Sequence, residues 1–113
     1  MFIRCAFFRG HIKPGCREAF DAHVNDTLVA LWSAFPHLME LRVLREVESD
    51  TPDCHFEMVL AMRFPSREAI AEALASPTRY ASREASKRLF EMFDGDVIHT
   101  VFAADQFPLP AVV

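Results

Sequence analysis

The stretch HFEMVLAMRFPSREAIAEALASP, residues 55–77, changes its hydrophobic rhythm partway along. Up to Phe64 every second residue is apolar, which is the pattern of a β-strand with one face buried. After Pro65 and Ser66 the apolar residues come three and four apart, which is the pattern of an amphipathic helix. Because Ser66 is a favourable N-cap, a strand is predicted to pass into a helix with almost no loop between them.

Similar patterns extend towards the N-terminus. Residues 2–8 predict a first strand, and apolar positions at helical spacing over 16–35 predict a first helix. Residues 38–47 alternate again and predict a second strand. The turn residues at 49–53 are expected to fold that strand back as a hairpin onto the strand at 55–64.

The C-terminal part supplies the remaining elements. A Ser-Pro pair at 76–77 starts a further helix, and Gly95 is expected to close that helix as a left-handed cap. Residues 97–103 predict a fourth strand, and 103–113 form a tail without a period. The order is βαββαβ with the second helix in two pieces. We therefore predict an α+β, ferredoxin-like plait with a four-stranded antiparallel sheet in one domain over 1–113.

Composition excludes several classes of protein. The 113 residues are 51% hydrophobic and carry a net charge of −4 with no basic block, so a nucleic-acid partner is not expected. No apolar run approaches the roughly 20 residues of a spanning helix, so no membrane partner is expected either. The N-terminal stretch is interpreted as a strand and not as a signal peptide. The three cysteines form no CxxC pair, which indicates reduced thiols and a cytoplasmic protein.

Both faces of the predicted sheet carry apolar residues. On the third strand, the second face has Val59 and Ala61 at its centre, and on the first strand only Arg4 is polar. A sheet face that is open to water usually shows polar alternation. A second copy of the chain covering this face would explain the pattern, so a homodimer is expected.

These residues resemble a known family. Residues 55–79, with a strand ending in Phe64, a capped helix and the Ser-Pro break, are similar to the EthD-like family of the dimeric α+β barrel superfamily. Residues 93–102 resemble its last strand, and 20–38 resemble its first helix. The family is named for a protein needed in ethyl tert-butyl ether degradation. The resemblance implies a dimeric α+β barrel, and the superfamily includes cofactor-free monooxygenases, isomerases, dehydratases, haem-degrading enzymes and proteins without known activity.

Two histidines are the candidate catalytic residues. His23 lies beside the buried stripe of the first helix, where it could face a pocket as acid, base or ligand anchor, or lie at the boundary and bond to a backbone carbonyl. Many relatives carry their histidine later in this helix. His99 lies mid-strand among valines and needs a partner, which Glu57 or Arg4 could supply in a structural pair. His55 and Glu57 are expected at a solvated rim.

A pocket between sheet and helices is expected to bind the ligand. Its candidate apolar lining is Phe20, Phe56, Met58, Met62 and Phe93, together with Trp32 and Phe90. These residues could equally be core, and Trp32, which lies off the main helical stripe, could instead form a subunit contact. The five histidines show no metal-ligand spacing and three glycines leave no phosphate-binding loop, so no metal and no cofactor is predicted.

Two functions remain open from the sequence. One is an EthD-like homodimer that binds a small, largely apolar molecule and uses cofactor-free redox or proton-transfer chemistry to degrade an organic compound, as an oxidoreductase or isomerase-type enzyme. The other is a non-catalytic ligand-binding or accessory module. An imidazole facing a cavity of roughly 300 Å³ or more favours the first, and a histidine with both nitrogens bonded favours the second.

Overall fold

A four-stranded antiparallel sheet is the framework of the protein. The computed structural model describes residues 1–111, so the last two residues of the predicted tail, Val112 and Val113, lie outside the described residues. The strands pair in the order β2-β3-β1-β4 and are β1 (Phe2–Ile12), β2 (Glu40–Leu44), β3 (Phe56–Phe64) and β4 (Phe93–Ala103). The helices are α1 (Arg17–His23), α2 (Val29–Ser33), α3 (Arg67–Leu74) and α4 (Pro77–Glu91). This arrangement confirms the predicted ferredoxin-like plait.

The junction after β3 forms as the sequence predicts. Met58, Leu60, Met62 and Phe64 are buried beneath the helices. The hydroxyl of Ser66 accepts a hydrogen bond from the backbone N–H of Ala69 at 3.0 Å, which caps α3. Ser76, in the Ser-Pro pair at 76–77, caps α4 in the same way. The strand-to-helix turn therefore fixes α3 against the end of β3.

The first helical segment is widened by a π turn, Val24–Leu28, between α1 and α2. Its buried residues are Phe20, Val24, Leu28 and Trp32, each four positions after the last. In a straight α-helix such four-residue steps drift by about 40° each, whereas the wider π turn keeps the side chains facing the sheet. Trp32 is consequently 4% exposed within the subunit, so of the positions that the sequence left open the buried one is observed and the subunit contact is not.

A bulge in β3 changes which face its first residues occupy. Met58 pairs with Phe8, but the next pair is Phe56 with Arg9, so Glu57 has no partner across the ladder. Phe56 therefore turns to the free face and packs against Phe7, with ring centroids 5.6 Å apart. Glu57 is only 5% exposed. The predictions that Phe56 lines the sheet–helix pocket and that Glu57 lies at a solvated rim are wrong.

Gly95 does not cap a helix. It lies within β4, which begins at Phe93, and it pairs with Gly10 on β1. A Cβ at Gly95 would lie 2.0 Å from the carbonyl oxygen of Arg9, and its φ of +153° is one that side chains rarely adopt. The predicted left-handed cap is therefore wrong, because this glycine is needed for the close approach of two strands.

The helices cover one face of the sheet and leave the other free. The free face carries Phe7, Val59 and Ala61 at its centre, with Ile98 and Phe102 beside them on β4. Ile98 and Phe102 are 38% and 45% exposed. The apolar free face that the sequence predicts is thus present in the subunit.

Candidate functional site

A cavity of about 350 Å³ lies between the sheet and α4. From the sheet it is lined by Arg4, Ala6, Phe8, Leu60, Met62, Val97 and His99, and from the helical side by Trp32, Arg79, Ser82, Arg83, Ser86 and Phe90 together with Phe35 in the turn after α2. A larger hollow of about 760 Å³ lies on the free face under the residues that follow β4. Because that hollow contains no histidine and lies on the face available to a second subunit, the sheet–helix cavity is the better candidate site.

The polar wall of the cavity comes from one face of α4. Arg79 lies three and four residues before the adjacent pair Ser82 and Arg83, and Ser86 lies four and three residues after them, which places all four on one side of the helix. Ser82 donates its hydroxyl hydrogen to the carbonyl of Arg79 at 2.9 Å, and Ser86 donates to the carbonyl of Ser82 at 2.7 Å. Their oxygen lone pairs remain available to a ligand donor.

Three arginines face this cavity without an acidic partner. Among residues 1–111, the side chains of Arg4, Arg79 and Arg83 make no hydrogen bond and no ion pair. No carboxylate of the described chain lines the cavity. Burial and, second, repulsion by Arg79 lower the pKa of the Arg4 guanidinium from its usual value. The cavity therefore carries a positive charge that no carboxylate among residues 1–111 neutralises.

His99 lines the cavity from the sheet side. It stands opposite Ala6 in the β1–β4 ladder, and its ring makes no hydrogen bond within the described residues. Burial first, and then the charges of Arg4 and Arg79, lower the pKa of this imidazole below its usual 6.5. His99 is thus neutral near neutral pH, and the hydrogen-bond pair that the sequence predicted with Glu57 or Arg4 does not form.

His23 lies outside the cavity. Its Nε2 donates to the carbonyl oxygen of Ala85 at 2.7 Å, and its ring borders a shallow surface hollow shared with Asp26 and Arg88. This is the boundary position bonded to a backbone carbonyl that the sequence left open. The structure does not bring the two candidate histidines together.

The predicted apolar lining divides into three groups. Met62 lines the cavity, as do Trp32 and Phe90. Phe20, Met58 and Phe93 are buried in the core and do not reach the cavity. Phe56 lies on the opposite face of the sheet, as described above. The sequence interpretation missed the arginines of α4 because a helical face turned towards a sheet is expected to be apolar.

A separate polar cluster joins the bulge of β3 to the start of α1. His55 contacts Glu46 through Nδ1 and donates from Nε2 to Glu57 at 2.7 Å, and Arg17 forms an ion pair with Glu57. His11 stacks on His55 with ring centroids 4.7 Å apart. Burial raises the pKa of Glu57, but its hydrogen bonds from His55 and Arg17 outweigh that effect and lower it overall.

The same cluster predicts a pH dependence of stability. The hydrogen bond to Glu57 raises the pKa of His55 above 6.5, against a smaller lowering by burial, and Glu46 raises it further. Protonated His55 therefore stabilises the fold below pH 6.5, and this contribution is lost as the pH rises through the folded-state pKa. The melting temperature of the wild type should exceed that of His55→Gln by more at about pH 6 than at about pH 8.5.

Thermal melts of both proteins at the two pH values measure this difference. His37→Gln is the control, because His37 pairs with Glu72 on the exposed surface, at 2.5 Å. A gap between wild type and His55→Gln that is unchanged or wider at the higher pH would contradict the assignment.

Solved structures share this architecture. An EthD family protein from Bacillus halodurans superposes with a TM-score of 0.73 at 19% identity, covering 93% of this chain and all of that one. The chain shares the fold of this protein. An antibiotic biosynthesis monooxygenase matches with a TM-score of 0.64 at 16% identity over 94% of this chain and 100% of that chain. A dimeric ferredoxin-like protein of unknown function from Thermobifida fusca matches with a TM-score of 0.62 at 14% identity over 91% of this chain and 90% of that chain.

No family model and no curated protein matches the sequence. The structural matches confirm the resemblance to EthD-like proteins at the level of the fold. Within residues 1–111, no helix has the length and apolar character needed to cross a membrane. The same residues contain no group of three His, Cys, Asp or Glu side chains arranged to hold a metal ion.

Proposed function

We propose that the protein is a cytoplasmic homodimer that binds a small molecule with a largely apolar body in its sheet–helix cavity and transfers a proton to or from it through His99. The observation that carries this proposal is an imidazole without a hydrogen-bond partner in residues 1–111, facing a cavity of about 350 Å³. That volume is in the range of small-molecule sites. A histidine in a purely structural role would ordinarily have its ring nitrogens bonded.

The chemistry of the cavity suits proton abstraction. A neutral imidazole accepts a proton at neutral pH, and the lowered pKa keeps His99 in that form. Removal of a proton from a carbon or hydroxyl conjugated to a carbonyl leaves an enolate or phenolate. Arg4 and Arg79 would stabilise that negative charge as it develops. This step can begin an isomerisation, in which the proton returns at another atom, or a cofactor-free oxidation in which molecular oxygen is the oxidant, so it fits both reaction types in the breakdown of an organic compound.

The fold neighbours support the proposal without deciding it. One neighbour is described as a monooxygenase and another as dimeric, and both statements concern those proteins. The alternative is a binding or accessory module without catalysis. It is favoured by one feature: apart from His99 and the arginines, the cavity is lined by no titratable side chain of the described residues, so the site offers no second acid or base near neutral pH.

Exchange of carbon-bound hydrogen tests the proposed chemistry. Tetralone, a neutral bicyclic ketone with acidic protons beside its carbonyl, is a suitable probe of base catalysis. The wild type should speed exchange of those protons for solvent deuterium, measured by NMR. His99→Gln should slow the catalysed exchange about 100-fold or more, the usual contribution of a general base.

His23→Gln is the matched control and should leave the exchange rate unchanged. Equal rates in the wild type and His99→Gln would remove His99 from the chemistry. A wild type that binds tetralone without catalysing exchange would favour the accessory-module function.

A further inference from the structure

The three cavity arginines, which have no acidic partner within residues 1–111, indicate the charge of the ligand. Arg4 projects from β1, and Arg79 and Arg83 lie one turn apart on α4, so two elements direct guanidinium groups into one cavity. The arginines elsewhere include several that have carboxylate partners, as Arg9 has with Asp96 at 2.8 Å and Arg45 with Asp21 at 2.9 Å. Arg4 and Arg79 are half-buried and Arg83 is exposed. The two half-buried guanidinium groups repel each other across the half-enclosed space, and an anion between them would relieve that repulsion.

The cavity is polar at one end and apolar at the other. Arg4 and Arg79 lie close enough for their charges to interact. At the other end Phe8 stacks on Phe90, with ring centroids 6.3 Å apart. Four residues of β1 and eleven of α4 separate these ends, which corresponds to about 13 Å and about 16 Å respectively. A ligand that fits this gradient has a charged head and an apolar body.

We propose that the ligand of this cavity is an amphipathic anion, with a carboxylate or similarly charged head group held by Arg4, Arg79 and Arg83 and an apolar body between Trp32 and Phe90. This inference rests on the proposed binding function and specifies its ligand class. A guanidinium can hold a carboxylate through two parallel hydrogen bonds, which a neutral head group cannot match. His99, opposite Ala6 and thus between the two ends, would face the atoms next to the head group.

Trp32 provides a direct readout, because it is the only tryptophan in the chain and it lines the cavity. Naphthoate and naphthylmethanol have the same ring system, but only naphthoate is charged at neutral pH. Titration of each against Trp32 fluorescence should show naphthoate binding at least about tenfold more tightly than naphthylmethanol. Inorganic phosphate at the same concentration as naphthoate should not displace it, because phosphate lacks the apolar body.

Variants of the cavity arginines test whether these residues cause the preference for naphthoate over naphthylmethanol. Arg79→Gln should remove most of the preference for naphthoate, weakening it about tenfold while leaving naphthylmethanol unchanged. Arg79→Lys keeps the charge and should retain part of the preference. Arg88→Gln is the matched control on the opposite face of α4, where Arg88 borders the His23 hollow. Arg4→Gln is a second test of the same head-group site, and circular dichroism melts confirm that each variant is folded.

Each outcome distinguishes the two proposals. Equal wild-type affinity for the two naphthalenes overturns the anionic ligand and leaves the binding function standing. No binding of either compound overturns the binding function and the inference with it. An equal loss of naphthoate affinity in Arg88→Gln and Arg79→Gln overturns the assigned head-group site, because it would show that attraction by surface charge is sufficient. Displacement of naphthoate by equimolar phosphate overturns the amphipathic character of the ligand.

Discussion

Val59→Asp is expected to convert the protein from a dimer into a monomer or to prevent folding. Val59 is half-buried at the centre of the free sheet face, between Phe7 on β1 and Leu44 on β2 in the strand ladders. When two free faces meet in the dimer, twofold symmetry brings the substituted residue of each subunit into the interface, so the interface contains two new carboxylates. Each unpaired carboxylate would lose its hydration there at a cost of several kcal/mol. A dimer with a micromolar dissociation constant would dissociate after losing that much binding free energy from both subunits.

Light scattering after size exclusion measures the outcome. Val47→Asp is the matched control, because Val47 follows β2 and is 97% exposed. The same change at this position should leave the dimer and its stability unchanged from the wild type. The wild type should be a dimer at micromolar concentration. A wild type of 12.9 kDa, or a Val59→Asp protein that remains dimeric, would contradict the role of this face.

Gly95→Ala is expected to lower the free energy of unfolding by at least about 3 kcal/mol. The added Cβ would meet the carbonyl oxygen of Arg9 at 2.0 Å, and that oxygen belongs to the backbone of β1 and has little freedom to move. The φ of +153° adds strain for any side chain. Relief would require β1 and β4 to separate near the end of the ladder that both strands share.

Gly15→Ala distinguishes the effect of the steric clash at Gly95 from the effect of the positive φ alone. Gly15 also has a positive φ, +81°, but a Cβ there would meet nothing within 4 Å. Its substitution should cost only about 1 kcal/mol. Chemical denaturation of the three proteins measures both values. A Gly95→Ala protein no less stable than Gly15→Ala would contradict the close approach of the two strands.

The fold could be predicted because its signals are local. The alternation that ends at Phe64, the cap at Ser66 and the Ser-Pro break each act within a few residues, so the sequence alone indicates β3, α3 and α4. The bulge at Glu57 could not be predicted in this way, because the register depends on which residue of β1 lies opposite. The role of Gly95 also depends on a partner strand, since Gly10 is 85 positions away in the chain.

The candidate site could be predicted only in part. His99 and Met62 follow from strand alternation, and both line the cavity. For His23 the sequence left two positions open, one facing the pocket and one bonded to a backbone carbonyl, and in the structure its ring donates to the carbonyl of Ala85. Arg79 and Arg83 were missed because polar residues on a helix are assumed to face water. Such a departure from the amphipathic pattern supports the proposed ligand site on this face, since local rules are often broken where function requires it.

The crystal structure of the protein with bound naphthoate tests the central claim most directly. The account predicts density for the naphthalene ring between α4 and the sheet, beside Trp32 and Phe90. The carboxylate should lie within hydrogen-bond distance of Arg4 or Arg79, with His99 facing the adjacent carbon. Density on the free face of the sheet or in the surface hollow beside His23, with the sheet–helix cavity empty, would contradict the account.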